Sequence, residues 1–371
     1  MRTIRIPEDP YDEFMRLPVG KSSPDPRFDV RRAQESEFPL VYDCVDAAFG
    51  KVRPRPLYEW LYRRNPYGRA QVWMVVERAT ERVLKTGANF PWPVWRDWEE
   101  IAGAVSGDAA TVPEWQRKGL SEIRRTVRRS HPWQGKRCSI SGPNENSRAV
   151  SAKDGTAHKI LGALPGGVLP LRAVEDPEDS TLPTPLAEMM NRTLAAAVSA
   201  WHSLTLRDGG DLRMEEIRRF DAEHDVATLQ TMHFPGYWCP HGWQFLNWRY
   251  LDHPTESYTA IGLRRRDTLL GYAVVRLTGQ RAMLAEFAVS DSDRAAASAL
   301  LDGAIGLARE AGCMALTFFG TPSWRHWGLF RRAGMLPVKS SNFMEISYDA
   351  DPEGSLDPRN WQLMPGDRDY H

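Results

Sequence analysis

The stretch Thr111–Ser121, TVPEWQRKGLS, decides the fold that the sequence predicts. It ends a predicted strand and opens a predicted helix, SEIRRTVRR. A helix that begins after a loop leaves its first backbone N–H groups unpaired, and its dipole adds a partial positive charge there. Arg117 and Lys118 supply full charges, and Gly119 lets a ligand approach the backbone closely. The stretch therefore predicts a pyrophosphate site, with an ordinary turn into a basic surface helix as the alternative.

A faint internal repeat indicates that the chain has two related halves. WLYRRNP (60–66) and WRYLDHP (248–254) share the pattern Trp-x-Tyr-x-x-x-Pro. Two apolar runs split by a charged turn follow each motif, as VWMVVERATERVLKTGANF in the first half and TAIGLRRRDTLLGYAVVRL in the second. Each pair of runs predicts a β-hairpin, and Arg264–Arg266 is the turn of the second one.

The two halves continue with the same order of predicted elements. A long strand, a helix, a short strand after a glycine and a short helix before a glycine lead to a last strand. The short strands lie in 135–141 and 312–319, and the short helices end at Gly155 and Gly334. Each half therefore predicts an α+β arrangement in which helices flank a mixed sheet.

The length of 371 residues agrees with two compact units, since it exceeds the usual size of one domain. AVEDPEDSTLPTP is rich in acids and prolines, which predicts a linker, and a helix is expected after it. The end of the chain has no periodicity and is expected to be irregular. The expected units are an N-terminal extension (1–26), a first domain (27–172), a linker with a connecting helix (173–212), a second domain (213–348) and a tail (349–371).

In this context the loop resembles that of the GNAT superfamily of acyl-CoA-dependent N-acyltransferases. The loop of that family reads Arg/Gln-x-x-Gly-x-Gly/Ala, and Gln116, Gly119 and Ser121 stand at its three fixed positions. Ser121 departs from the usual Gly or Ala, but it is small. PNENS (143–147) and KDG (153–155) resemble the later Asn and Gly signature of the family. The resemblance covers roughly residues 28–172 and, more loosely, 213–348.

The resemblance implies that the first half binds acyl-CoA, in particular acetyl-CoA. It implies a V-shaped opening between two splayed strands, where pantetheine lies along Ala110 to Val112 like an added strand. Asn144 would contact the pantetheine arm. The cofactor-binding residues expected on this basis are Ala110, Thr111, Val112, Gln116, Arg117, Lys118, Gly119, Leu120, Ser121, Asn144 and Ser147.

The second half departs from the family's loop pattern. Its corresponding stretch, FAVSDSDRAAASALL (287–301), has no Arg/Gln-x-x-Gly. Asp291 and Asp293 would repel phosphate where the first half offers Arg117 and Lys118. We expect this half to have lost the cofactor, to buttress the first half and to wall off the acceptor pocket.

The catalytic residues are predicted from the strand beside the thioester. Many members of the family protonate the leaving thiolate with a tyrosine, but Ser151 and Phe330 stand at that position, so water is expected to do so. Asp108 and Glu114 are the carboxylates near the thioester, and alternation puts both on one strand face. We predict that Asp108 accepts the amine's proton through water, with a turn carboxylate after Gly107 as the alternative. Glu114 lies toward the pyrophosphate, as a second candidate base or a solvated, loop-capping residue.

Composition excludes several other classes. Lys plus Arg and Asp plus Glu number 48 each, so no overall charge attracts nucleic acid or a membrane. No signal peptide or run of roughly 20 apolar residues is found, and the few cysteines lie far apart, which predicts a cytoplasmic protein. His233, Cys239 and His241 lack a fourth ligand and a standard zinc spacing, so no metal is expected. The tryptophans of FPWPVWRDW (90–98) are interpreted as core.

Together these features predict an enzyme that transfers an acyl group, in particular acetyl, from CoA to a primary amine of a small molecule by direct attack. Proximity in one cleft would supply much of the rate, and a backbone N–H at a strand bulge would stabilise the oxyanion. One alternative is a tandem scaffold or ligand-binding module without turnover. Another is a Fem-like transferase that uses aminoacyl-tRNA, against which the neutral net charge counts. The acceptor and the oligomeric state stay open.

Overall fold

A computed structural model of the chain shows two mixed sheets flanked by helices, and the predicted fold class is confirmed. None of the helices that it describes is long and apolar enough to cross a membrane. The structure describes residues 4, 8–16, 22–96, 98–129, 137–143, 158–173, 183–205, 211–232, 234–339, 343–348 and 357–367.

The described elements of the first half agree with the predicted order, and the short helix predicted before Gly155 lies outside the described residues. They are α1 (Tyr11–Arg16), β1 (Phe28–Arg32), α2 (Phe38–Phe49), α3 (Arg55–Arg63), β2 (Gln71–Glu77), β3 (Arg82–Pro91), β4 (Val94–Arg96), β5 (Glu99–Gly107), α4 (Leu120–Arg129), β6 (Arg137–Ser141), β7 (His158–Ala163) and β8 (Gly166–Pro170).

The second half begins with the helix that was expected after the linker. Its elements are α5 (Thr184–Thr205), β9 (Leu212–Ile217), α6 (Ala222–Met232), β10 (Tyr237–Trp238), α7 (Trp243–Leu246), β11 (Tyr258–Arg265), β12 (Thr268–Thr278), β13 (Arg281–Val289), α8 (Arg294–Glu310), β14 (Ala315–Phe319), α9 (Trp327–Arg332), β15 (Leu336–Val338), β16 (Phe343–Tyr348) and β17 (Trp361–Gln362).

The two sheets have equivalent strand orders. The first runs β1, β2, β3, β5, β6, β16, β7, and the second runs β9, β11, β12, β13, β14, β8, β15. The predicted hairpins are β2 with β3 and β11 with β12. In each sheet one parallel pair, β5 with β6 or β13 with β14, lies among antiparallel neighbours. The start of β5 also pairs with β4. β4 pairs in turn with β10, and β10 pairs with β17.

Each sheet contains one strand from the other half. β16, near the end of the chain, lies between β6 and β7 in the first sheet. β8, from the end of the first half, lies between β14 and β15 in the second sheet. The boundaries expected from the sequence therefore do not separate the two sheets. Residues 166–170 of the first half pair within the second sheet, and residues 343–348 of the second half pair within the first sheet.

Trp60 and Trp248, which open the repeated motif, stack on each other where the halves meet. Their ring centroids are 4.4 Å apart and their planes differ by 14°. The indole N–H of Trp60 donates to the carbonyl of Trp248 at 2.8 Å, and that of Trp248 donates to the carbonyl of Trp60 at 3.1 Å. Because each tryptophan makes the same contacts with the other, the two copies of the repeat are related by a pseudo-twofold axis.

Part of the C-terminal tail packs into the structure. Residues 361–367 are all buried, and the two-residue β17 pairs with β10, whereas no pattern in the sequence indicated that this segment packs into the structure. A two-residue strand and a single turn have no periodicity that a sequence pattern could show. Trp92 and Trp95 are buried, as the core interpretation of the tryptophan cluster predicted.

The reciprocal tryptophan contact predicts strong coupling between the halves. Trp60→Phe and Trp248→Phe should each lower the free energy of unfolding by about 1–3 kcal/mol, because each loses a buried hydrogen bond and part of a stacked ring. The double variant should depart from the sum of the two by at least about 0.5 kcal/mol. Urea unfolding measures these free energies. Trp201→Phe, which changes a half-exposed tryptophan, is the control variant. Strictly additive effects would contradict the coupling.

Candidate active site

A β-bulge interrupts the pairing of β5 with β3 just beyond the end of β5. Ala88 lies opposite Gly107, yet Lys85 lies opposite Thr111, so the β5 side has one residue more than the β3 side. Asp108 lies in this extra segment and has a φ of 47°. A left-handed residue other than glycine is uncommon and persists only where its surroundings hold it. The contacts of Asp108 should therefore fix the bulge.

The carboxylate of Asp108 is buried and accepts two hydrogen bonds. Tyr62 Oη donates to Oδ2 at 2.8 Å, and Arg53 Nη1 donates to Oδ1 at 2.8 Å. The exposed fraction of the Asp108 side chain is 2%, so the ion pair compensates a charge that is almost entirely buried within the protein. Burial, followed by the charge of Asp108, raises the pKa of Tyr62 well above its ordinary value, which keeps the phenol a donor. Thr86 Oγ1 also donates to the Asp108 carbonyl at 2.8 Å.

Beyond the bulge, one edge of the strand is bound to β3. The Ala110 carbonyl accepts from one β3 amide and the Val112 amide donates to a β3 carbonyl, at 2.9 and 3.0 Å. Successive residues of a strand direct their backbone groups to opposite sides. The backbone groups of Thr111 therefore face away from β3.

This outer edge begins where the parallel strands part. The pairing of β5 with β6 ends at Val105 and Ile140. Ala109, three residues before the end of the edge at Val112, is exposed. In the part of the chain that the structure describes, no strand pairs with the edge from Ala109 to Val112. The resemblance predicts the opening between two splayed strands at this place.

The loop that follows has two residues in the left-handed region. Pro113–Trp115 form a single 3-10 turn, and Gln116 Nε2 donates to the Thr111 carbonyl at 3.2 Å. Arg117 and Gly119 have φ values of 61° and 81°. A Cβ added to Gly119 would meet no atom of the described residues within 4 Å, so these residues leave space for a ligand above the loop.

Positive charge surrounds the beginning of α4. Arg117 and Lys118 are exposed, and Lys118 Nζ lies 5.1 Å from the ring centroid of Trp115. The amide of Glu122 is the first to bond within this turn, to the carbonyl of Gly119. The amides of Gly119–Ser121 precede it at the positive end of the helix dipole. These groups together suit the oxygen atoms of a phosphate.

Glu114 lies on the outer side of the loop. Its Oε1 is 2.5 Å from Arg82 Nη1, and both side chains are half-exposed. A hydrogen bond from its own backbone, together with the Arg82 guanidinium, lowers the pKa of Glu114. Asp108 is buried next to Tyr62, so the two carboxylates do not share the environment that strand alternation predicts. The bulge and the 3-10 turn between them break that alternation.

Three predicted residues, Asn144, Ser147 and Ser151, lie outside the described residues, so their roles stay predictions. Phe330, the counterpart of Ser151, is buried in the second half. Its ring lies 5.3 Å from that of Phe287.

In the second half, the corresponding opening is filled by the C-terminal segment 361–367. β13 and β14 part after Met283. Leu363 then exchanges two hydrogen bonds with Thr321, which follows β14, each at 3.1 Å. Gly366 packs on β13 so closely that an added Cβ would lie 2.2 Å from the phenol oxygen of Tyr250. The segment therefore bridges the two strands that part.

The beginning of α8 is occupied by its own chain as well. Asp293 accepts a hydrogen bond from the amide of Ala296 at 3.0 Å and pairs with Arg265 at 3.0 Å. Asp291 lies 3.8 Å from Arg325. A capping carboxylate thus stands at the helix start that corresponds to Gly119–Ser121 of the first half.

His241 fastens the C-terminal segment to the second half. Its Nδ1 is 2.9 Å from Glu286 and its Nε2 is 2.9 Å from Asp367, and all three side chains are buried. Burial alone would lower the pKa of His241, but the two carboxylates outweigh it and raise the pKa to about 10. Among the described residues, no three side chains are grouped to hold a metal, and His233 lies outside those residues.

The sequence indicated Asp108 but missed both of its partners. Tyr62 was part of the repeated motif, and its recurrence as Tyr250 was the available signal. Arg53 is 55 residues away from Asp108, and no spacing rule connects them.

Comparisons with known proteins bear on the fold. No protein-family model matches the sequence, and no curated protein matches it either. N-myristoyltransferase of Saccharomyces cerevisiae, solved with myristoyl-CoA and inhibitors, is similar with a TM-score of 0.54 and 12% identity, over 100% of this chain and 92% of that one. A probable N-acyltransferase from Enterococcus faecalis V583 is similar with a TM-score of 0.58 and 12% identity, over 86% and 72%.

A GCN5-related N-acetyltransferase from Anabaena variabilis ATCC 29413 is also similar, with a TM-score of 0.55 and 11% identity over 86% of this chain and 72% of that one. These likenesses agree with the two mixed sheets flanked by helices. The chain therefore has the GNAT fold, in two copies.

Proposed function

We propose that the chain is an acyl-CoA-dependent N-acyltransferase with a single cofactor site, in its first half. The observation that carries this proposal is the continuous stretch from Asp108 to Ser121, where a strand edge with which no described strand pairs leads directly into a basic helix start. The second half offers an internal comparison. It has the same fold, but its own chain fills the opening and caps the helix.

The residues of this stretch fit an extended anionic thioester at three places. The amides of Gly119–Ser121, with Arg117 and Lys118, would hold the pyrophosphate. The outward backbone groups of Thr111 would bond the pantetheine arm as a neighbouring strand would. The amide of Ala109, at the bulge, would receive the carbonyl oxygen as its negative charge grows. Ala110, Val112, Gln116 and Leu120 would shape this path, and Asn144 and Ser147 are proposed contacts of the arm.

We propose acetyl-CoA as the donor and a primary amine of a small molecule as the acceptor. The thioester supplies an activated carbonyl and a thiolate leaving group, so the protein has to orient the reactants and receive a proton. The names of the N-acetyltransferase and N-myristoyltransferase relatives support transfer to nitrogen.

Asp108 is the proposed acceptor of the amine's proton, through a water molecule. It lies at the bulge, next to the amide that would bind the carbonyl, and Arg53 compensates its charge. Glu114 is the matched comparison, because it is the other carboxylate near the expected thioester but pairs with Arg82 in solvent.

The phosphate loop predicts where acetyl-CoA binds. Gly119→Trp should weaken binding by at least about tenfold, because the indole would fill the space above the loop. Gly279→Trp is the matched control, since Gly279 also has a positive φ, 55°, and open space around its Cβ. Isothermal calorimetry with wild type should give one site per chain. Equal affinities for the two variants, or two equivalent sites, would contradict the proposal.

The proposed proton acceptor predicts a second effect. Asp108→Asn should lower turnover about 100-fold and change the acidic limb of the pH–rate profile, whereas Glu114→Gln should change neither. Thiol release from acetyl-CoA, measured with the most active amine of a panel, reports both. If Asp108→Asn matches wild type in rate and profile while Glu114→Gln is impaired, the base lies elsewhere. Binding of acetyl-CoA without turnover against any amine would instead indicate a non-catalytic module.

A further inference from the structure

The bulge carboxylate of the first half has a counterpart in the second half. Tyr62 Oη donates to Asp108 at 2.8 Å, and Tyr250 Oη donates to Glu286 at 2.7 Å. Each tyrosine is the third residue of the repeated motif, two residues after the stacked tryptophans. The same contact therefore occurs on both sides of the pseudo-twofold axis.

Both carboxylates lie at a β-bulge. The register of β12 with β13 shifts between Val274 and Val275, which leaves Ala285 as the extra residue immediately before Glu286. Tyr250 Oη also approaches the carbonyl of Ala285 at 3.4 Å. In the first half, the extra residue lies in the segment from Asp108 to Ala110.

A cation compensates each buried carboxylate, although the two cations come from different places in the chain. Arg53, in the loop before α3, lies 2.8 Å from Asp108. His241, in the segment after β10, lies 2.9 Å from Glu286. A tyrosine, a carboxylate and a cation thus occur together in both halves. The tyrosine is the same in both, whereas Asp108 is replaced by Glu286 and Arg53 by His241. What recurs is the arrangement that holds a buried charge at the bulge.

The opening of the second half is filled by residues 361–367, so its copy of this arrangement has no room for a thioester. A function that both copies share must therefore be structural, and the shared feature is the bulge. Only the first half leaves an exposed residue, Ala109, next to its bulge. There the orientation of the bulge also sets the direction of the amide proposed to bind the carbonyl.

We infer that Tyr62 and Arg53 are positioning residues for acyl transfer, which hold the Asp108 bulge so that the Ala109 amide meets the thioester carbonyl. This inference rests on the proposed function, and it holds whichever group accepts the amine's proton. Without the phenol, the carboxylate loses one of its two partners and the left-handed backbone at Asp108 loses its support. The carbonyl then loses its donor while the phosphate loop is unchanged.

The test compares Tyr62→Phe with Tyr250→Phe, which removes the equivalent hydroxyl in the second half. Infrared spectra of bound acetyl-CoA, with and without ¹³C at the carbonyl, report hydrogen bonding to the thioester oxygen. Wild type and Tyr250→Phe should show a carbonyl band shifted to lower frequency than in water, and Tyr62→Phe should lose that shift. Turnover should fall about 100-fold in Tyr62→Phe alone, with the KM for acetyl-CoA nearly unchanged.

Arg53 supplies an independent pair of variants. Its side chain is partly exposed, so its replacement should disturb folding less than replacement of the buried Tyr62. Arg53→Lys keeps the cation and should retain the carbonyl shift, whereas Arg53→Gln should lose it. A wild-type shift in both Tyr62→Phe and Arg53→Gln would overturn the inference, as would equal losses in Tyr62→Phe and Tyr250→Phe. Failure of wild type to bind acetyl-CoA would instead overturn the proposed function.

Discussion

The exchange of β8 and β16 between the two sheets is the constraint on which the rest of the structure depends. Each exchanged strand lies between two strands of the other half, so its removal would leave unpaired backbone groups on both neighbours. Neither sheet is complete without the other half. The second half therefore has a structural role in forming the first sheet that does not depend on binding a cofactor.

The same scaffold has two different openings. In the second half, the C-terminal segment bridges the parting strands, and the protonated His241 fastens Asp367 beside Glu286. The close approach at Gly366 allows no side chain there. In the first half, the described chain leaves the edge beyond the bulge without a strand partner, and the basic loop continues from it. This difference, on a common fold, favours one acyl-CoA site per chain.

Much of the fold could be predicted from the sequence because local sequence patterns indicate its strands, helices and turns. Each hairpin is two apolar runs split by a charged turn, the apolar residues of the helices repeat at three and four residues, and Gly119 and Gly334 mark turns with positive φ. The strand exchange could not be predicted, because a strand such as residues 166–170 has the same pattern in either sheet. The buried tail was missed for a related reason, since its short elements depend on distant contacts.

The candidate site was predictable only in part. The phosphate loop has a local signature, whereas the partners of Asp108 come from distant positions, and the bulge changes strand alternation in a way that no spacing shows. We propose that the first half alone binds the cofactor. Hydrogen–deuterium exchange with and without acetyl-CoA tests it most directly. Slower exchange over residues 109–121, with no change over 287–301 or 361–367, is the predicted result, and protection of the second half instead would contradict it.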